Sequence, residues 1–187
     1  MPAIPVRVFI TPFAIKGESE PAGWTCDTAS DALNVVNSIW SKAKIQFVIQ
    51  ECTLDKPLEM AKDARNHDQR LLDVLSLRRP AHKNVHIFLL NAIPNLTAGG
   101  TSYLNSDPEA ASFVQSYGTA AASGRAWAHE LGHLLSLDHI EIDYSDQKQL
   151  KDRSNLMVKG LSVGTDLNST QIGNASKSKL AQQFSAS

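Results

Sequence analysis

Residues 126–139, AWAHELGHLLSLDH, hold three of the chain's six histidines within eleven positions, with a glutamate directly after the first. His129 and His133 are four residues apart. On a helix such positions share a face, so two imidazoles can reach one ion. Glu130 points partly toward the same side, where its carboxylate can take a proton from an ion-acidified water without binding the ion itself. Zinc takes about four ligands, and a catalytic site uses three from protein and leaves one position open. His139 is the natural third ligand. A helix running straight through it would turn it about 240° away from His133, so the helix must stop near Leu137 and the chain must turn back. Ser136, Asp138 and the polar run after Ile140 can end a helix there. The competing reading is three histidines that merely cap and pack a helix. At this composition H-E-x-x-H arises by chance in about 0.7% of such chains, and with the third histidine in about 0.02%. The metal reading is preferred.

The surrounding pattern supplies elements to hold such a site. VRVFIT (6–11) alternates and is β-branched, as a strand does. Thr28, Ser30 or Asp31 can cap a helix running to about Ala43, with Ala32, Val35, Val36, Ile39 and Trp40 on its apolar stripe. KIQFVIQ (44–50) reads as a second strand, and 65–79 as a helix closed by Pro80. NVHIFLLN (84–91) is almost continuously apolar, which suits a central strand. TSYL and 111–118 follow as strands, then the histidine helix at about 121–137. A polar loop (138–154), the turn NLMVKG and a last helix at about 169–184 complete the chain. Strand–helix–strand–helix–strand order favours an α/β fold with a partly parallel sheet covered by helices.

At 187 residues, 42% hydrophobic and 20% charged, the chain suits one globular domain with a core that needs no disulfide staples. A net charge of −1 points to neither a nucleic-acid nor an anionic-membrane partner. No apolar run approaches the roughly 18 residues that span a bilayer. The N-terminus MPAIPVRVFITPF is not a secretory signal. The protein is therefore expected in the cytoplasm, or exported by a route without such a signal, or trimmed. Cys26 and Cys52 make no disulfide framework; they either pair or stay free thiols. His67, His82 and His86 read as structural or surface residues, and Trp24, Trp40 and Trp127 as core aromatics.

H129-E-L-G-H133-L-L-S-L-D-H139 resembles the long zinc signature of the metzincin metalloproteases, H-E-x-x-H-x-x-G-x-x-H. NLM at 155–157 is similar to the family's methionine turn, with Met157 beneath the zinc histidines. The resemblance implies a twisted, mostly parallel five-stranded sheet with an antiparallel edge strand, a backing helix, an active-site helix, and a C-terminal helix after the methionine turn. It implies one catalytic domain over 1–187, with an upper part at 1–139 and a lower part at 140–187. It implies one catalytic zinc ion on His129, His133 and His139, and Glu130 as general base and acid. Nothing in the sequence indicates a structural calcium. In the resemblance, Gly99, Gly100, Thr101, Ser102 and Tyr103 form the edge that binds extended substrate by strand addition, and 158–166 walls the pocket, its glycines Gly160 and Gly164 suggesting an adaptable loop. The family's glycine is replaced by Ser136, which is expected to take a left-handed backbone conformation at about 1 kcal/mol. Some members carry a tyrosine two residues after the methionine; here that position is Lys159. Each imidazole needs an acceptor for its other N–H, with Asp138 as one candidate and a solvated carboxylate as its plainer reading. A zinc-silencing role for Cys26, known from some members, is not expected, because the first strand is expected to begin near residue 5.

The function expected is that of a monomeric zinc endopeptidase acting on protein or peptide substrates. The alternatives are a zinc-holding binding module of the same fold, and a toxin or effector with one narrow protein substrate.

Overall fold

The computed structural model describes residues 1, 3–15, 23–56, 58–60, 85–90, 100–104, 110–115, 118–142, 145–146, 149–159 and 164–185. The expected helix at 65–79, His67, His82, Gly99 and Gly160 lie outside them.

Alternating and continuous apolar runs build the sheet. Strand β1 (Ala3–Ile10) buries Ile4, Val6, Val8 and Ile10 completely or nearly so. A short β2 (Phe13–Ile15) follows, then helix α1 (Cys26–Trp40), β3 (Gln46–Leu54), a short β4 (Leu58–Met60), β5 (Val85–Leu90), β6 (Gly100–Leu104) and β7 (Ala110–Gln115). Five of these strands form one sheet in the order β3-β1-β5-β7-β6. The β1–β3, β1–β5 and β5–β7 pairs are parallel and β6–β7 is antiparallel. All six residues of β5 are buried, which is what a continuous apolar run predicts for a strand covered on both faces. Strands β2 and β4 pair separately, a small sheet that the sequence pattern does not announce.

Helix α1 starts earlier than expected. Thr25 is its N-cap, exchanging hydrogen bonds with Thr28 in a capping box, so Thr28 acts as the third helical residue rather than as the cap. The helix also stops at Trp40, and a 3₁₀ turn (Ser41–Ala43) leads to Lys44 in a left-handed conformation. The second strand therefore opens at Gln46 rather than at 44. Ala29, Ala32, Leu33, Val36, Ile39 and Trp40 face the core, the stripe that the 3.6 period demands, joined to Ile87, Leu89, Trp127, Ala128 and Leu131. Cys26 and Cys52 form a disulfide that ties the first turn of α1 to β3. Both thiols are thereby consumed, and neither is free to reach a metal.

The histidine helix α2 (Ala120–Leu134) is capped by Thr119, whose hydroxyl accepts the Ala122 N–H. It ends at Leu134, three residues short of the expected limit. The expected last helix is two: α3 (Ser169–Lys177) and α4 (Lys179–Gln183), broken at Ser178, whose hydroxyl caps α4 by accepting the Ala181 N–H. Among the described residues no helix is long and apolar enough to cross a membrane.

Candidate metal centre

Helix α2 is locked against α1 by more than apolar area. The Trp40 indole donates to the Ala128 carbonyl at 3.2 Å, within the core, one residue before His129. Strands β6 and β7 also pack on α2, so the sheet's antiparallel edge lies against the helix that carries His129 and His133. Thr101, Ser102 and Tyr103 contribute to that edge strand, paired in register with Phe113, Ser112 and Ala111.

The end of α2 performs the turn-back that the third histidine requires. Ser136 N–H donates to His133 O at 3.0 Å, and Leu137 N–H to Gly132 O at 2.9 Å. These are the two bonds of a Schellman motif, with Ser136 at the position that normally favours glycine. Its φ of +65° is left-handed, and beyond it the chain reverses so that His139 returns toward the helix.

The reversal brings the imidazoles together. His139 Nε2 lies 3.1 Å from both His129 Nε2 and His133 Nε2, and the three ligand nitrogens fall within 4.8 Å of one another. His129 Nδ1–H donates to the Leu156 carbonyl at 2.7 Å, and His133 Nδ1–H to the Leu137 carbonyl at 2.8 Å. A carbonyl only accepts, so each of these rings carries its proton on Nδ1 and presents a lone pair at Nε2. His139 has at most one N–H at its own Nε2 and cannot satisfy both. Lone pairs converging at this spacing repel unless a cation lies between them. Tetrahedral coordination at about 2.0–2.1 Å would separate ligand nitrogens by about 3.3 Å. The donor set fits a metal ion.

The N–H acceptors of His129 and His133 are main-chain carbonyls, and Asp138 is exposed. His129 is 6% exposed and Glu130 5%. Burial, partly countered by the bond to Leu156 and reinforced by His133 and His139, lowers the His129 pKa from 6.5 to about 4. The His139 pKa is also lowered, by burial first and then by the His133 and Lys159 charges. Both rings are thus neutral near pH 7, the form that binds metal.

Two segments beyond His139 close the site from below. Ile140 N–H donates to Met157 O at 2.7 Å and Lys159 N–H to Ile140 O at 3.2 Å, so the chain after the third histidine is stitched to the chain after Met157. Met157 is completely buried. A Cβ on Gly132 would sit 2.5 Å from its sulfur, so the glycine between His129 and His133 is the gap into which Met157 packs. Gly164 has a comparable explanation: a side chain there would collide with the Ser154 backbone. Lys159 pairs at the surface with Glu141 at 2.9 Å. Sequence reasoning missed Leu156, Leu137 and Gly132, and only the H-x-x-G-H spacing of Gly132 carried a usable signal.

No protein-family model matches the chain, and no curated protein does. Solved structures do. A chain in a structure described as a chaperone–substrate complex superposes with a TM-score of 0.58 at 14% identity, over 98% of this chain and 36% of its own. Metalloproteinase-II from Bacteroides fragilis superposes with a TM-score of 0.56 at 13% identity, over 93% of this chain and 52% of its own. The chain thus spans about a third and a half of these neighbours, and at such identities the likeness is one of fold: the protein is a mixed α/β chain with a metalloproteinase-like fold and three histidines grouped as a metal site would group them.

Proposed function

We propose that the chain is a zinc-dependent endopeptidase of metzincin type, with residues 1–187 forming one catalytic domain. The observation that carries this reading is the convergence of His129, His133 and His139 at Nε2, two of them with Nδ1 held by carbonyls, directly beside a buried glutamate. Three converging imidazole nitrogens suit zinc. When bound, zinc supplies Lewis acidity, making water acidic near neutral pH and polarising a carbonyl. The chain's own contribution is positional and protic. Glu130 takes the proton of the attacking water and returns it to the departing amine. The edge of β6, Gly100 to Tyr103 with Gly99 before it, pairs with an extended peptide through main-chain bonds. Turn 155–157 is the methionine turn, and Met157 packs under the ligand helix at Gly132. Lys159 stands where some relatives place a tyrosine and is engaged with Glu141, so the reading assigns it no role in the chemistry. The protein acts as a monomer on protein or peptide substrates.

Glu130→Gln tests the assignment. Chelator-sensitive cleavage of a peptide library should fall by about 10²–10⁴-fold while zinc remains at one per chain. Unchanged cleavage refutes the role of Glu130, and wild-type protein that holds no zinc refutes the site.

A further inference from the structure

Asn155 and Gln171 are both 7% exposed and face each other through both ends of their amides. Asn155 Nδ2 donates to Gln171 Oε1 at 2.8 Å, and Gln171 Nε2 donates to Asn155 Oδ1 at 3.0 Å. Each acceptor has a second partner. Asn155 Oδ1 also takes the Met157 N–H at 2.9 Å, and Gln171 Oε1 takes the Asn168 N–H at the start of α3 at 3.0 Å. The Met157 N–H belongs to the same peptide unit as the Leu156 carbonyl, which accepts from His129 Nδ1. That unit is a rigid trans plane, so its N–H and C=O point in opposite, fixed directions. Holding one edge of the plane sets the aim of the other. The Leu156 N–H, bonded to Asp166 O at 2.7 Å, steadies the same residue from its other side.

We propose that Asn155 and Gln171 are positioning residues for His129. The reciprocal amide pair fixes the 156–157 peptide plane, the plane presents a carbonyl to His129 Nδ1, and the carbonyl holds the ring in the tautomer and orientation that offers Nε2 to the cluster. Its bearing on metal affinity rests on the zinc reading given above; its bearing on the ring does not. Gln171 touches neither His129 nor the peptide plane and acts only through Asn155. Outer partners of this kind change metal affinity by about 10–100-fold when removed.

The test compares Asn155→Ala, Gln171→Ala, the double variant and Asn168→Ala. Asn168 shares the α3 capping box with Gln171 through its own side chain but does not touch Asn155, so its variant matches the loss of helix cap without loosening the clamp. Two quantities are read: imidazole ¹⁵N resonances of the metal-free protein at neutral pH, and zinc affinity by competition with a chromophoric chelator. Asn155→Ala and Gln171→Ala should each move the His129 resonances away from the Nδ1–H tautomer and weaken zinc by about 10–100-fold. The double variant should lose little more than either single one, because the pair acts as a unit, and Asn168→Ala should do neither. Wild-type resonances and affinity in Gln171→Ala, or equal changes in Asn168→Ala, overturn the proposal. If the wild type holds no zinc, the zinc reading fails, and the ring resonances alone then decide the clamp.

Discussion

Ser136 closes the ligand helix in a conformation that its Cβ disfavours. Replacing it by glycine should stabilise the protein by about 1 kcal/mol, read as a raised urea midpoint with an unchanged slope; a lowered midpoint would show that the hydroxyl compensates for the backbone strain. The His129 ring makes a second prediction, in pH. Its pKa falls from 6.5 to about 4 on folding, chiefly through burial. Between those values the unfolded chain carries a proton that the folded chain refuses. Metal-free stability is therefore complete above about pH 6.5 and declines as pH drops toward 4, by up to about 3 kcal/mol. His139, shifted the same way, adds to the decline. Urea denaturation of chelated protein at about pH 7 and about pH 5 measures it, and a profile flat across that window contradicts the buried, neutral ring.

The elements hold these residues in place by long-range ties that local patterns do not record. The disulfide Cys26–Cys52 joins α1 to the outer parallel strand across 26 residues. Closing a loop of that length in the unfolded chain gives about 3 kcal/mol. The Cys26→Ser/Cys52→Ser variant should lose stability of that order while keeping its zinc stoichiometry, and denaturant melts with metal analysis would show both. Much of the element order was legible: apolar periodicity marks β1, α1, β5 and α2, and the demand that His139 return to His133 marks the turn after α2. Two of the misjudged boundaries share one cause, caps chosen by competition among adjacent polar residues. Thr25 outcompetes Thr28, and Ser178 divides a helix that periodicity would carry through. The pairing of two cysteines, the β2–β4 sheet and the meaning of Gly132 depend on contacts between distant segments. The ring acceptors, Leu156 and Leu137, are carbonyls common to every residue, so no side-chain pattern could disclose them.

At the scale of the molecule, the described chain divides its labour. The sheet and the two long helices share one buried core that also takes in Leu156, Met157, Ala175 and Ala181, and the segment from Ile140 onward adds main-chain hydrogen bonds, Leu156 to His129 at the site and Ile140 to Met157 beside it. Backbone bonds beside an emptied site open locally more readily than those of a central strand. Stripping the metal should accordingly speed deuterium exchange at the Ile140, Leu156 and Lys159 amides while those of β1 and β5 stay protected, and uniform exchange across both regions would contradict this. An ion seated among the three rings would then add one more tie between the ligand helix and the chain that follows it. Zinc supply would tune how readily the backbone after His139 opens locally, on a core that this segment shares with the sheet.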